Sequence, residues 1–197
     1  ALWGQWFPES PPRSIDPSDA RAALARWYLG GHGPASVEDF SWWSGLKKSN
    51  ARAALDASAD HEANGHYDIG GETSDEPPAG VRLLPIWDTA LVTQRSRRRM
   101  VAEEHHRFVY DASGNATSTV VADGRVIGVW DRGKSADVLH LRVAFFSGSG
   151  PSRSVEDEAE VLADALGVGD VSVELVGDPV DLTTASRNRF MSPLSGD

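Results

Sequence analysis

The stretch Gly33–Lys48 (Gly-Pro-Ala-Ser-Val-Glu-Asp-Phe-Ser-Trp-Trp-Ser-Gly-Leu-Lys-Lys) constrains the fold more than any other part of the chain. Ser36 is placed to cap the first amides of a helix, and Asp39, three residues on, gives a near capping-box arrangement. Val37, Phe40 and Trp43 then recur at helical spacing and make one apolar face. Ser44-Gly45 ends the helix, because glycine reaches left-handed backbone angles without a steric penalty. From Lys47 the pattern restarts and runs to about Ala59, with Ala51, Ala54 and Leu55 inward and Lys48, Asn50 and Arg52 outward. Two short helices around a glycine-containing turn, the second basic and polar at its start, read as a helix-turn-helix.

The flanks extend that unit. Residues 1–15, with Trp3, Trp6 and Phe7 followed by Pro8, Pro11 and Pro12, read as an extended N-terminal arm, since proline removes backbone donors and disfavours helix. Asp16-Pro17 opens a first helix whose expected inward stripe is Ala20, Ala23, Leu24, Trp27 and Tyr28, stopped by Gly30-Gly31-His32-Gly33. After the helix-turn-helix, His61 to Ile69 carries Asn64-Gly65, a strong two-residue hairpin signal. A hairpin in that position is a wing, so residues 16–72 are expected to form a winged helix. Gly70 to Gly80, rich in Glu, Asp, Pro and Gly, is expected to be a linker.

The second half changes period. Val81 to Trp87 reads as a short apolar strand leading into Asp88, and Arg107 to Tyr110 as another. Ala112 to Asn115 is a turn, and strands are expected at Ser118–Ala122, Arg125–Trp130, Val138–Phe146 and Val171–Val176, with Asp123-Gly124 as a second hairpin turn. A helix from about Ser154 to Leu166 carries Glu156, Asp157 and Glu158 in its first turn, matched to the positive end of its dipole, and ends at Gly167. The expected fold class is α+β: the winged helix, then a small antiparallel β-barrel-like domain over residues 81–178 with one late helix. Residues 179–197 read as a tail.

Composition narrows the function. The 197 residues include no cysteine, which excludes disulfides, a thiolate nucleophile and cysteine-ligated zinc. No apolar run approaches the roughly eighteen residues of a membrane span, so no membrane partner is expected. The chain opens Ala-Leu-Trp-Gly, with neither an initiator Met nor a signal-peptide pattern, a start that fits a trimmed or processed piece; the lack of cysteine agrees with a cytoplasmic setting. The formal net charge of -10 argues against indiscriminate coating of nucleic acid. Phosphate binding depends on local cations, however, and these cluster in Lys47, Lys48 and Arg52 and again in Arg95, Arg97, Arg98 and Arg99. Acidic residues concentrate elsewhere, at Glu72–Glu76 and Glu156–Glu160. A solvated face is the plainer reading of either basic cluster.

Several residues together carry a resemblance. Tyr28-Leu29, His32-Gly33-Pro34-Ala35 and Asp39 to Leu46 are similar to the helix-turn-helix of the AlkZ-type winged-helix DNA glycosylase family. So are Leu83-Leu84-Pro85 with Trp87-Asp88, Arg97 with Arg99, and Asp123 to Trp130. Order and spacing match over about residues 16–176, and the chain resembles the C-terminal half of such a protein. The resemblance implies tandem winged helices with a C-terminal β-barrel, and excision of alkylated or crosslinked bases. It also implies a Gln-x-Gln or Gln-x-Asp catalytic element in the first, N-terminal winged helix. The two glutamines present, in Gln5-Trp6-Phe7 and Gln94-Arg95-Ser96, form neither pattern. Around Arg97, where the family often has a His and an Asp, Gln94 and Ser96 stand instead.

Excising a base needs an extruded nucleotide, a group that positions water, and a cationic surface to hold the backbone. Only the last is legible. Lys47, Lys48, Asn50 and Arg52 are the candidates if the third helix docks in a groove, and Arg95, Arg97, Arg98 and Arg99 are candidates for gripping backbone. The plainer readings are a structural winged helix and an arginine loop that is solvated or pairs with carboxylates. Asp88 is the best isolated acid–base candidate, but a partly buried carboxylate locked by an arginine is the more ordinary role. His61 and His66 are five apart across an Asn-Gly turn, not four apart on a helix, so they do not make a zinc-protease motif. His105 and His106, read on a strand, point to opposite faces. Gly148-Ser149-Gly150-Pro151 lacks the lysine of a phosphate loop, and Trp42 and Trp43 read as core. The sequence therefore points to a DNA-binding piece of a glycosylase-like protein, with double-stranded DNA and an absent N-terminal domain as partners. No catalytic residue, cofactor or metal is assigned, and a non-catalytic winged-helix transcription or scaffold protein is the alternative.

Overall fold

A computed structural model describes residues 14–70, 79–134, 138–180 and 182. The expected arm, apart from Ser14 and Ile15, the core of the expected linker and most of the expected tail lie outside the described residues. The chain divides into two compact units, residues 1–72 and 73–197. No helix among the described residues is long and apolar enough to cross a membrane.

In the first unit, α1 (Pro17–His32) is followed by β1 (Ala35–Ser36), α2 (Val37–Ser44), α3 (Lys48–Asp56), β2 (His61–Ala63) and β3 (His66–Asp68). The three strands make one sheet in the order β1-β3-β2, all antiparallel. Asp16 caps α1, accepting from the Ser18 amide at 2.7 Å, with Pro17 at the first helical position. The hairpin turns at Asn64-Gly65, both at positive φ (53° and 79°), where Asn and Gly are the tolerant residues.

The core of this unit is an aromatic stack on α1. Tyr28, 1% exposed, has its ring centroid 5.2 Å from Phe40 and 4.8 Å from Trp43, both on α2. Ala25, Leu29, Ala51, Ala54, Leu55 and Tyr67 close around it. The buried face of α1 is thus Ala25, Tyr28 and Leu29. The expected stripe was rotated: Ala23 is exposed and Trp27 is 78% exposed. Both stripes satisfy helical spacing, and the contact with Phe40 and Trp43 selects between them. The expected core role holds for Trp43, which packs on the cluster, but not for Trp42, which is 49% exposed.

In the second unit, β4 (Val81–Leu84) leads to α4 (Thr89–Val92), 3-10 turns at Arg97–Arg99 and Glu103–His105, and α5 (His106–Val109). Then come β5 (Thr119–Ala122), β6 (Arg125–Lys134), β7 (Val138–Phe145), α6 (Ser152–Leu166) and β8 (Asp170–Leu175). The strands form one curled five-stranded sheet in the order β4-β5-β6-β7-β8. Successive residues go to opposite faces: Val120, Val143 and Phe145 join one cluster, and Val121 and Ala144 the other. Helix α6 covers the first face with Val155, Ala159 and Ala163, at spacing of one turn. The segment 91–116 covers the second face through Leu91, Val101, Val109, Tyr110 and Ala116, joined by Leu182, which is 1% exposed.

Two expectations fail here. The domain is not wholly antiparallel, because β8 pairs parallel to β7, with Val138 opposite Asp170. Helix α6 carries the chain back about 22 Å at 1.5 Å per residue, close to the length of β7, so the next strand starts where β7 started. Arg107–Tyr110 is not a strand: residues 106–109 are helical and the Tyr110 amide donates to the His106 carbonyl at 2.8 Å. His105 and His106 therefore do not alternate across a strand. His105 stacks on Phe146 at 4.2 Å, and His106 meets the Tyr110 ring edge-on.

Candidate functional site

The first candidate surface is built by α2 and α3. Ser36 and Asp39 form the full capping box: the Asp39 amide donates to Ser36 Oγ at 3.2 Å, and the Ser36 amide donates to Asp39 Oδ2 at 3.1 Å. Gly45, at φ 70°, ends α2 in the left-handed region, and Ser41 Oγ donates to the Leu46 carbonyl across the turn. The turn therefore fixes the direction in which α3 leaves. Ala51, Ala54 and Leu55 seat α3 on the core, so its other face is open.

Lys47, Lys48, Asn50 and Arg52 are all exposed, as the alternation of α3 predicts. At about 100° per residue, Ser49 and Ala53 lie outermost, with Asn50 on one flank and Lys48 and Arg52 on the other. Ser49 is thus a polar candidate that charge-based reading passed over. The two cations on the second flank have different surroundings. Lys48 Nζ pairs with Glu38 Oε1 at 2.7 Å, and this hydrogen bond, with the lysine charge, holds the Glu38 carboxyl below its ordinary value. Arg52 donates to Tyr67 Oη at 3.3 Å, and Tyr67 Oη donates to Asp56 Oδ1 at 2.8 Å. The hydrogen bond to Asp56 pushes the Tyr67 phenol above its ordinary value, because losing the proton would set two anions side by side.

The hairpin beside α3 carries no lysine or arginine. A shallow depression of about 290 Å³ at its base is lined by Asp56, Asp60, His61, Glu62 and Tyr67. Arg26 on α1 reaches this end, donating to the Ser58 carbonyl at 2.8 Å and pairing with Asp60 at 3.3 Å. His61 and His66 sit on different strands, with His66 opposite Ala63 and His61 opposite Asp68.

The second candidate surface is the arginine run of the other unit. Arg97 is half-buried, its guanidinium carbon 4.4 Å from the centre of the Tyr110 ring, a cation–π contact that fixes the side chain. Burial raises the Tyr110 phenol above its ordinary value. Arg98 pairs with Glu103 at 2.6 Å, not with the acidic helix, and Arg95 and Arg99 are exposed. One further arginine, Arg125, joins this surface, donating to the Arg99 carbonyl at 3.0 Å. Arg107 lies over the Phe108 ring. Arg125 arrives because the Val126 amide donates to the Met100 carbonyl, a long-range contact that no local pattern announces. Asp88 accepts from the Ala90 amide at 2.9 Å as the cap of α4, and among the described residues no arginine is paired with it. Its surroundings are those of a helix cap.

Comparison with known proteins gives the family of the chain. The interstrand DNA cross-link repair glycosylase of Streptomyces sahachiroi is 31% identical over 179 residues, covering 82% of this chain and 47% of that protein. The solved structure of the Streptomyces sahachiroi DNA glycosylase AlkZ superposes with a TM-score of 0.71 at 27% identity, over 88% of this chain and 50% of that one. The chain spans about half the length of the relatives it matches. The family model described as DNA glycosylase AlkZ-like matches residues 1–165, and the chain belongs to that family.

Proposed function

We propose that this chain is a duplex-DNA-holding part of a base-excision protein, with the first unit acting as a winged helix. In this reading α2 and α3 are the helix-turn-helix, β2 and β3 the wing, and the second unit a barrel-like support whose arginine run adds backbone contacts. The observation that carries the reading is the open, polar and cationic start of α3: Lys47, Lys48, Asn50 and Arg52 are exposed behind a capped and glycine-terminated turn. Such a helix can enter a groove while its cations meet phosphates. Kinship to an interstrand DNA cross-link repair glycosylase supports crosslinked DNA as the substrate class of this reading, with alkylated duplex as the extension that we propose. We assign the excision step to an N-terminal half bearing a Gln-x-Gln or Gln-x-Asp element, since Gln5 and Gln94 form neither.

The test is duplex binding by this chain and by the triple variant Lys47→Glu, Lys48→Glu, Arg52→Glu, with base release from alkylated duplex followed in parallel. The reading expects binding that the triple variant loses, and no base release. Unchanged binding by the triple variant would remove α3 from the interface. Base release by this chain alone would overturn its assignment as non-catalytic. The second reading, a transcription or scaffold protein of the same fold, draws on those same two glutamines. It expects an upstream half that lacks the catalytic pair as well.

A further inference from the structure

The two cations on one flank of α3 are equally charged and one helical turn apart, yet their partners differ in kind. Lys48 is paired directly at 2.7 Å with a carboxylate, Glu38, which hydrogen-bonds the lysine and lies within electrostatic reach of Arg52 as well. Arg52 is held at 3.3 Å by the neutral oxygen of Tyr67. The roles in that contact are fixed, because a guanidinium only donates and a carboxylate only accepts. The Tyr67 hydroxyl must therefore give its proton to Asp56, 2.8 Å away, and offer its lone pair to Arg52. The phenol sits between the Asp56 anion and the Arg52 cation and keeps them from closing into a direct pair. Tyr67 is 5% exposed and its strand, β3, is the middle strand of the small sheet, so the oxygen is a fixed point. Arginine presents several donors in a planar fork, so one bond to Tyr67 leaves others for a phosphate oxygen.

We propose that Tyr67 is a positioning residue of the α3 surface, tethering the Arg52 guanidinium through a neutral oxygen while engaging Asp56, so that Arg52 rather than Lys48 supplies the phosphate-contacting charge of this flank. This rests on the duplex-binding reading above.

The experiment measures affinity of the full chain for a labelled plain duplex, for wild type, Lys48→Met, Arg52→Gln, Tyr67→Phe and the Arg52→Gln/Tyr67→Phe double variant. Arg52→Gln weakens binding roughly tenfold, as loss of a charge-assisted hydrogen bond does, and lowers the log–log salt slope by about 0.9. Lys48→Met weakens it less than about twofold, since an exposed pair carries little net charge outward. Tyr67→Phe, which keeps the buried ring, weakens binding roughly threefold in wild type and has no effect once Arg52 is gone. A purely structural tyrosine would weaken both backgrounds equally. Equal losses from Lys48→Met and Arg52→Gln, or additive losses from Tyr67→Phe and Arg52→Gln, overturn this inference while duplex binding stands. No binding by the wild type overturns the duplex reading, and this inference with it.

Discussion

Replacing Ser36 with alanine tests how the start of α2, and with it the α2–α3 turn, is held. The serine hydroxyl accepts from the Asp39 amide at 3.2 Å and donates to Asp39 Oδ2 at 2.6 Å. Loss of an N-cap acceptor costs about 1 kcal/mol. Loss of a hydrogen bond to a carboxylate adds roughly 1 kcal/mol more, reduced because the Ser36 amide still donates to that carboxylate. The expected total is about 1.5 kcal/mol, a large fraction of the stability of a unit this small. At about 4–8 °C per kcal/mol for a domain of this size, the melting temperature of the first unit falls by on the order of 10 °C, read by circular dichroism. Ser36→Thr, which keeps the hydroxyl, recovers most of it. Asp39→Ala is coupled to Ser36→Ala in a double-mutant cycle, because each group is the other's partner. A melting temperature within a degree or two of wild type, or strictly additive losses, would refute the capping argument.

Two other changes separate burial from helical pattern. Phe40→Ala, at a fully buried position in contact with Tyr28, costs about 3–5 kcal/mol, whereas Trp27→Ala, on the open face of α1, changes stability by less than about 0.5 kcal/mol. Denaturant titration of both variants checks the contrast, and a large loss from Trp27→Ala would contradict the face assigned to α1. Acid should weaken the first unit through Glu38 and Asp60, whose hydrogen bonds to Lys48 and Arg26 hold their folded-state pKa below the ordinary 4.5 and 3.8. Depressed carboxyls contribute stability above those ordinary values and lose it as pH falls through the folded values. Melting followed from pH 5 downward should therefore show the loss, shrinking in Lys48→Met; an unchanged acid profile in that variant would contradict the pairing.

Much of the first unit was legible because its signals are local. The capping box at Ser36 and Asp39, the left-handed Gly45 and the Asn64-Gly65 turn depend on residues within a few positions of one another, and each stands where the sequence puts it. The face of α1 was not legible, since two stripes share Tyr28 and only the α2 aromatics decide between them. Arg107–Tyr110 misled because four residues are too few to show a distinguishing period; stacking of Phe108 on Phe146, far along the chain, accompanies the helical form. The parallel β7–β8 pair did leave a trace, a long helix between two strands, which is the connection that parallel strands require. At the candidate site the cations were legible as exposed charge. Their surroundings were not: that Lys48 meets Glu38, Arg52 meets Tyr67 and Arg125 meets the arginine run depends on contacts ten or more positions apart.

The most direct measurement is the salt dependence of duplex binding by the unmodified chain, followed by fluorescence anisotropy of a labelled plain duplex. Each phosphate neutralised should contribute about -0.9 to the slope of log affinity against log salt, so engagement of α3 together with the arginine run predicts a straight line with a slope of roughly -3 or steeper. A slope near zero, or no binding at low salt, would contradict the claim that these cations hold duplex DNA.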